Sequence, residues 1–276
     1  MRKRMILLAV SVLSALSLLI CAGRLGTAAE TVTLPVVMYH HISEDVSRLG
    51  PYVISPEELE SDLAYLTGRG YTSVTAEDLI AWTEGRFAMP EKPVMLTFDD
   101  GYESTFVYAQ PILARYGMRG VTAVIGSVAQ QYSETEDHHL AYSHLSWETL
   151  GLMAKAGVFE LECHTWDMHR LSPRRGCAPM EGESDADYRA ALSEDLTRFQ
   201  EEFSRKLGLR ADVLVMPYGA YTNTTLEIAE KLGFRCAFTC EEKINQLTGS
   251  PDELMRIGRY NRPSGPDSEE FFSRWG

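Results

Sequence analysis

The sequence predicts an α/β fold in which parallel strands close into a barrel, and two observations support this. Strand-like apolar runs alternate with helical patterns roughly every 25 to 35 residues, which is typical of parallel β/α units. Seven or eight such strands can be counted, a number that favours a closed barrel over an open doubly wound sheet. No glycine-rich phosphate-binding motif opens any of the helices, which argues against a dinucleotide-binding sheet.

The first 29 residues predict an export segment. Basic residues at positions 2–4 precede an apolar run over 5–20, and small residues lead up to Ala29. Cleavage after Ala29 is the first interpretation. Lipid attachment at Cys21 and an uncleaved membrane anchor are the alternatives. In each case residues 30–276 form one domain outside the cytoplasm, either secreted or tethered to the outer face of the membrane.

The charge of that domain argues against two classes of partner. The chain has 26 basic and 39 acidic residues, and four of the basic ones fall within the export segment, so the domain carries 22 basic residues and a formal charge of −17. Nucleic acid and anionic membrane surfaces would be repelled. A neutral or cationic ligand fits this charge better.

The domain contains four cysteines, at positions 163, 177, 236 and 240. An oxidising compartment allows up to two disulfides, with three connectivities. Cys236 and Cys240 lie on a strand-like run about 13 Å apart, beyond disulfide reach, so any disulfide has a longer range. The absence of a Cys-x-x-Cys motif argues against a zinc cluster.

The first half of the domain shows strands and helices in strict alternation. Ser55 and Thr75 precede helical patterns as N-caps, and acids fill the first turn of each helix. Pro111 predicts a kink in the third helix. The predicted strands are 34–39, 71–74, 94–98 and 121–125, and the predicted helices are 56–69, 76–84 and 103–116.

The second half begins with a polar excursion over 129–145 that has no clear period. Ser146 then caps a helix that Gly157 ends, and a loop over 171–185 precedes a long amphipathic helix. The predicted helices are 147–156, 188–207 and 224–232, and the predicted strands are 159–163, 213–216, 235–239 and 255–260.

Polar clusters follow four of the predicted strands. They are Tyr39-His40-His41, Asp99-Asp100, the segment from His164 to His169, and Pro217-Tyr218-Gly219. In a parallel barrel the carboxyl ends of the strands share one rim, where the chemistry of such folds is found. The sequence therefore predicts that these clusters meet in one site.

The residue types in these clusters indicate a metal-dependent hydrolysis. Two imidazoles and one carboxylate are common ligands of catalytic Zn²⁺ and of other divalent metals with open positions. One of the two adjacent acids can bind the metal while its neighbour acts as general base, and a histidine from the first strand, His40 or His41, can protonate a leaving nitrogen. The Tyr218 N–H can stabilise an oxyanion. The plainer alternatives are an Asp-Asp-Gly surface turn and a simple Pro-Tyr-Gly turn.

The sequence is less specific about three further sets of residues. Trp166 is either a core residue or a sugar-stacking surface, and Pro217 is a candidate substrate contact beside Tyr218. The three histidines of the polar excursion, at positions 138, 139 and 144, are expected to be solvated.

These motifs resemble those of the NodB-homology polysaccharide deacetylases, carbohydrate esterase family 4. Thr97-Phe98-Asp99-Asp100-Gly101 is similar to the first family motif, His164 to His169 to the second, and Pro217-Tyr218-Gly219 to the end of the third. The resemblance implies a distorted (β/α)7-type barrel, a single catalytic domain that removes N-acetyl groups from amino-sugar polymers. It also implies Asp99 as base, a metal, usually zinc, on Asp100, His164 and His169, and the Tyr218 backbone in the oxyanion hole.

Three departures from the family pattern are similar to the poly-N-acetylglucosamine deacetylase branch. The histidines are five residues apart instead of four, Val215 stands where the base-orienting arginine is usual, and no Leu-x-His follows near the C-terminus. The branch implies that His40 is the acid. We expect Arg256 or Arg259, on the last predicted strand, to replace the missing arginine against Asp99.

The expected reaction is metal-dependent hydrolysis of N-acetyl groups from a β-linked N-acetylglucosamine polysaccharide, with release of acetate. A peptidoglycan deacetylase and a non-catalytic glycan-binding barrel are the alternatives. The polymer, the native metal, the disulfide pairing and the oligomeric state stay open from the sequence.

Overall fold

The structure is a computed structural model that describes residues 31–135 and 137–275. The predicted export segment, residues 1–29, lies outside the described residues. Among the described helices, none combines the length and the apolar character that a membrane crossing requires.

Parallel strands form the centre of the molecule. The strands are β1 (Val32–Leu34), β2 (Val36–Tyr39), β3 (His41–Ile42), β4 (Val53–Ile54), β5 (Thr72–Ser73), β6 (Pro93–Phe98), β7 (Gly120–Val124), β8 (Phe159–Cys163), β9 (Val213–Val215), β10 (Cys236–Phe238), β11 (Asn245–Leu247) and β12 (Tyr260–Asn261). The main sheet has the order β10-β9-β8-β7-β6-β2-β12, and every pair in it is parallel.

The segment over residues 257–261 contacts strands at both ends of the sheet. Ile257 forms a parallel bridge with Phe238 of β10, and β12 pairs with β2. The Asn245 side chain supports this segment, because its amide donates to the Gly258 carbonyl and its oxygen accepts the Gly258 N–H. The sheet is therefore curled into a distorted (β/α)7-type barrel, and the predicted fold class is confirmed.

Helices cover the outside of the sheet and begin largely where the capping residues predicted. Ser55 forms a capping box with Glu58, and Ser146 and Gly157 bound their helix as expected. The helices are α1 (Pro56–Gly68), α2 (Ala76–Thr83), α3 (Gln110–Arg115), α4 (Gly126–Thr135), α5 (Trp147–Ala156), α6 (Asp185–Leu207), α7 (Asn223–Lys231) and α8 (Ser268–Phe272).

The helix predicted over 103–116 contains a π-helical stretch, Thr105–Ala109, directly before α3. Pro111 has no N–H to donate to the carbonyl of Val107, and its ring crowds that carbonyl. The wider turn of the π-helix makes room for the proline ring. The irregularity predicted at Pro111 is therefore present as a change from π-helix to α-helix.

Two predicted elements were wrong. The polar excursion over 129–145 begins inside helix α4, which buries only Gly126 and Ala129 and therefore leaves almost no apolar stripe in the sequence. The strand predicted over 255–260 is instead a 3-10 helix, Pro251–Arg256, followed by the two-residue strand β12.

The four cysteines of the domain are all free thiols. Cys163, Cys177 and Cys236 are buried, where they pack as small apolar side chains. Cys240 is half-buried and lines the cavity described below.

Two glutamates, Glu160 and Glu162, lie side by side on one face of β8. Glu162 is buried and accepts the Val213 N–H at 2.8 Å, and Glu160 accepts the Glu77 N–H at 3.1 Å. Burial and repulsion by Glu160 raise the pKa of Glu162 well above its usual value. The pair therefore holds a proton that the unfolded chain releases.

We expect the free energy of unfolding to fall as the pH rises from the unfolded pKa, about 4.3, to the raised pKa of the folded state. The slope approaches about 1.4 kcal/mol per pH unit for one proton. Thermal melting between pH 5 and pH 8 should show a weaker pH dependence for Glu162→Gln. Glu201→Gln, an exposed change of the same charge on α6, is the control. Identical slopes for all three proteins would refute the shared proton.

Candidate active site

A cavity of about 870 Å³ lies at the C-terminal ends of the barrel strands. Each of the four predicted polar clusters contributes to its wall. The lining includes His40, His41, Asp99, Asp100, His164, His169 and Tyr218. The prediction that these separate segments meet in one site is therefore confirmed.

Three of these side chains could hold a metal ion. One ligand atom from each of Asp100, His164 and His169 lies within 4.8 Å of the others. Asp100 Oδ1 is 3.3 Å from His164 Nε2 and 3.1 Å from His169 Nε2. The loop between the histidines turns back so that the ring centroids are 5.0 Å apart, as the spacing required.

The donor set fits a divalent cation. His164 Nδ1 lies 2.8 Å from the Val215 carbonyl, which only accepts, so Nδ1 carries the proton and Nε2 of the neutral ring presents a lone pair. That lone pair faces Asp100 Oδ1, which is buried and has no hydrogen-bond partner. A cation between these atoms satisfies both. Burial lowers the pKa of His164, but the nearby carboxylates of Asp100 and Asp99 outweigh burial and raise the pKa.

The backbone has an unusual conformation at three positions of the strand-end clusters. Among the described non-glycine residues, a positive φ occurs at Asp100 (70°), Thr165 (72°) and Tyr218 (58°). Such conformations are costly for residues with a Cβ and persist where the surroundings enforce them. All three residues lie in, or next to, the strand-end clusters of the rim. Strain of this kind is typical of functional sites.

Asp99 is paired with Arg259. The guanidinium donates two bonds to the carboxylate, at 2.7 Å and 2.9 Å, and both side chains are buried. Burial alone raises the Asp99 pKa, but attraction to Arg259 and His164 outweighs it and holds the pKa below its usual value. Thr97 Oγ1 and the Thr239 carbonyl accept further bonds from the guanidinium. Asp99 is therefore ionised and fixed in orientation.

Of the two candidate arginines, only Arg259 contacts Asp99. Arg256 is exposed at the end of its 3-10 helix and donates to Asn223 Oδ1 at 2.8 Å. Arg259 therefore lies where the expected replacement for the missing family arginine would have to lie, and its base-orienting role stays a prediction. Val215, at the position usual for that arginine, contributes its carbonyl to His164 instead.

The two histidines after β2 differ in their surroundings. His40 is half-buried on the cavity wall, with its ring 4.9 Å from that of Tyr52. Burial lowers its pKa although Asp99 and Asp100 act in the opposite direction. His41 is buried, contacts Ser104 Oγ through Nδ1 at 3.0 Å, and has its pKa lowered to about 4, first of all by burial. His40 is the better placed proton donor.

Several side chains lie elsewhere than the sequence suggested. Trp166 is 6% exposed, packs in the core beneath Arg198 and does not line the cavity, so the core alternative is the correct one. Pro217 is also buried outside the cavity wall. His144, expected to be solvated, lines the cavity and stacks on Tyr102 at 4.4 Å. No local pattern marks His144 as a cavity residue, because its position depends on the fold of the excursion.

The loop that carries the two histidines is held from helix α6. Both oxygens of the Asp195 carboxylate accept backbone N–H groups, from Trp166 and from Asp167, each at 2.8 Å. Thr165 completes the turn by accepting the Met168 N–H at 3.1 Å. Asp195 contacts neither histidine, so it acts on them through the conformation of the loop.

We expect Asp195→Asn to weaken metal binding by up to about tenfold, the lower end of what direct hydrogen-bond partners of metal ligands contribute, because Asp195 acts only through the loop. The substitution keeps the volume but turns an amide donor toward a backbone N–H. Competition with a chromogenic chelator measures the affinity. Glu194→Gln, an exposed change at the next position of α6, is the control. An unchanged affinity in Asp195→Asn would show that the loop holds its shape without this carboxylate.

Fold and site together define a class of protein: a (β/α) barrel with a candidate divalent-metal site and a buried, arginine-paired carboxylate at its C-terminal rim. The family model described as "Polysaccharide deacetylase" matches residues 87–237. The chain belongs to the polysaccharide deacetylase family.

Curated relatives support this membership. The chain is 25% identical over 247 residues to the poly-beta-1,6-N-acetyl-D-glucosamine N-deacetylase of Escherichia coli (strain K12), covering 83% of this chain and 37% of that protein. It is 29% identical over 209 residues to the putative polysaccharide deacetylase YxkH of Bacillus subtilis (strain 168), covering 75% and 64%. The chain thus spans less than two thirds of the length of these relatives.

Solved structures give the same fold. IcaB from Ammonifex degensii superposes with a TM-score of 0.69 at 28% identity, over 88% of this chain and 96% of that one. A de-N-acetylase from Aggregatibacter actinomycetemcomitans has a TM-score of 0.73 at 23% identity, over 89% and 100%. The second likeness concerns the fold alone.

Proposed function

We propose that this protein is an exported, Zn²⁺-dependent N-deacetylase of β-linked N-acetylglucosamine polymers. The observation that carries the proposal is the group of Asp100, His164 and His169 within 4.8 Å, directly beside the Asp99–Arg259 pair. The curated E. coli relative is named for deacetylation of poly-beta-1,6-N-acetyl-D-glucosamine. Zinc is our choice of metal because two imidazoles and one carboxylate suit it. Export, with or without a membrane tether, rests on the first 29 residues.

A divalent cation on these three ligands would polarise the acetyl carbonyl and lower the pKa of a water molecule. Asp99, ionised and oriented by Arg259, accepts the proton of the attacking water. The Tyr218 N–H is proposed to stabilise the oxyanion that forms as the water attacks.

His40 donates a proton to the leaving amine. Its lowered pKa makes the imidazolium a stronger acid but reduces the fraction of the ring that is protonated, so the transfer requires His40 to be protonated before the amine leaves. Hydrolysis then yields acetate and a free amino group on the sugar. The strongly acidic domain would attract the cationic product polymer.

Acetate release is the direct test of the proposal. We expect the full-length protein to release acetate from β-1,6-linked N-acetylglucosamine oligomers, to lose this activity with a chelator, and to regain it with Zn²⁺. Faster release from peptidoglycan fragments would support the peptidoglycan alternative. Oligomer binding without any release of acetate would support a glycan-binding barrel.

A further inference from the structure

Three exposed apolar side chains surround the mouth of the catalytic cavity. Seven large hydrophobic side chains are exposed in the described part of the chain, and three of them line this cavity: Tyr52 (60% exposed), Tyr142 (47%) and Leu171 (66%). Exposed apolar surface collected at one place on a soluble protein commonly marks a binding site. Two of the three are aromatic and carry a hydroxyl.

The Tyr52 ring is fixed close to the reacting groups. Its backbone carbonyl accepts the His41 N–H at 3.1 Å, and the preceding carbonyl, of Pro51, accepts the Asn261 amide at 2.8 Å. The ring meets the His40 ring edge-on, with centroids 4.9 Å apart and an interplanar angle of 67°. Tyr52 is therefore one ring away from the proposed proton donor.

The Tyr142 ring is also held in place although it is exposed. It stacks on His139 with centroids 4.7 Å apart and an interplanar angle of 7°, and its hydroxyl bonds to Asp137. Arg48 donates to the carbonyl of Ala141, so the two loops that carry Tyr52 and Tyr142 are joined. A ring held on one side presents its other face at low conformational-entropy cost.

We propose that Tyr52 and Tyr142 form a stacking subsite for the sugar unit next to the one that loses its acetyl group. This inference rests on the proposed function, since it assigns the occupant as a β-linked N-acetylglucosamine chain. The faces of such a pyranose carry axial C–H bonds that pack on aromatic rings, and the phenol hydroxyls can bond to the sugar hydroxyls. The subsite takes the stacking role that the sequence suggested for Trp166.

The dependence of KM on oligomer length tests the subsite. In the wild type we expect KM to fall from the β-1,6-linked N-acetylglucosamine dimer to the hexamer. The double variant Tyr52→Ala/Tyr142→Ala should raise KM for the hexamer by about tenfold, equivalent to a lost stacking contribution of about 1.4 kcal/mol, and should flatten the length dependence. Its metal content should stay close to wild type, which separates lost sugar stacking from damage to the metal site.

Two matched variants separate stacking from damage to the fold. Tyr52→Phe/Tyr142→Phe keeps the rings and should keep the length dependence. Leu152→Ala removes an exposed apolar side chain (49%) that does not line the cavity and should change nothing. A wild-type length dependence in the alanine variant overturns the subsite and leaves the proposed function standing. If the wild type releases no acetate from any of these oligomers, the proposed function fails and the subsite fails with it.

Discussion

Asp99→Asn should reduce kcat by about 10²- to 10⁴-fold, the range in which general acid–base groups contribute, and should leave metal binding intact. The amide has the shape of the carboxylate but cannot take the proton of water. We expect Asp100, His164 and His169 to keep their mutual distances in this variant, because their short contacts are with one another, with the Val215 carbonyl and with Tyr218. Single-turnover acetate release and metal analysis of the same sample measure both quantities.

Two further variants define what this result means. Glu242→Gln changes a carboxylate on another part of the cavity wall and should keep near wild-type turnover. His164→Ala should lose the metal together with the activity. If Asp99→Asn also lost its metal, Asp99 would be a ligand and the division of roles between the adjacent acids would be wrong.

Arg259→Ala should have the second largest effect, on both stability and rate. It leaves the buried Asp99 carboxylate without its partner, and breaking a buried pair in this way typically costs about 3–5 kcal/mol. Burial then acts on the carboxylate without the opposing guanidinium, so the Asp99 pKa rises. The acidic limb of the pH–rate profile therefore moves to higher pH, and thermal melting shows the loss of stability.

Arg256→Ala is the matched control, since it removes an arginine three positions away that makes only an exposed bond to Asn223. Arg259→Lys should recover part of the stability but not the full rate, because an ammonium cannot form the two parallel bonds of the guanidinium. Full turnover in Arg259→Ala would remove the base-orienting role altogether.

The residues at the C-terminal rim of the barrel could be predicted because the ends of buried strands are recognisable in the sequence. Asp99 and Asp100 follow a buried apolar run, and capping residues such as Ser55 and Ser146 place the neighbouring helices. Parallel topology then brings the strand ends to one side without any knowledge of distances. The proposed metal ligands could be found in this way because Asp100 and His164 lie within two residues of the end of a buried strand, and His169 lies in the loop after the second of these strands.

Other contributions could not be read from local patterns. His144 and Tyr142 lie in an excursion whose path depends on tertiary contacts, and Tyr52 precedes a two-residue strand with no period to detect. Asp195 lies within a long amphipathic helix, where an acid normally indicates a solvated face. Trp166 shows the reverse case, since a tryptophan beside a ligand histidine suggested substrate contact but packs in the core.

The pairing of Asp99 with a residue 160 positions later sets the order in which the rim can become active. Chains are synthesised and fold from the N-terminus, so the base and all three proposed ligands emerge well before Arg259 does. A nascent chain that ends after α7 carries every group for holding a cation but lacks the guanidinium that fixes the base. The segment that completes the barrel thus also completes the proposed base, because Asp99 gains its fixed orientation only when Arg259 is in place.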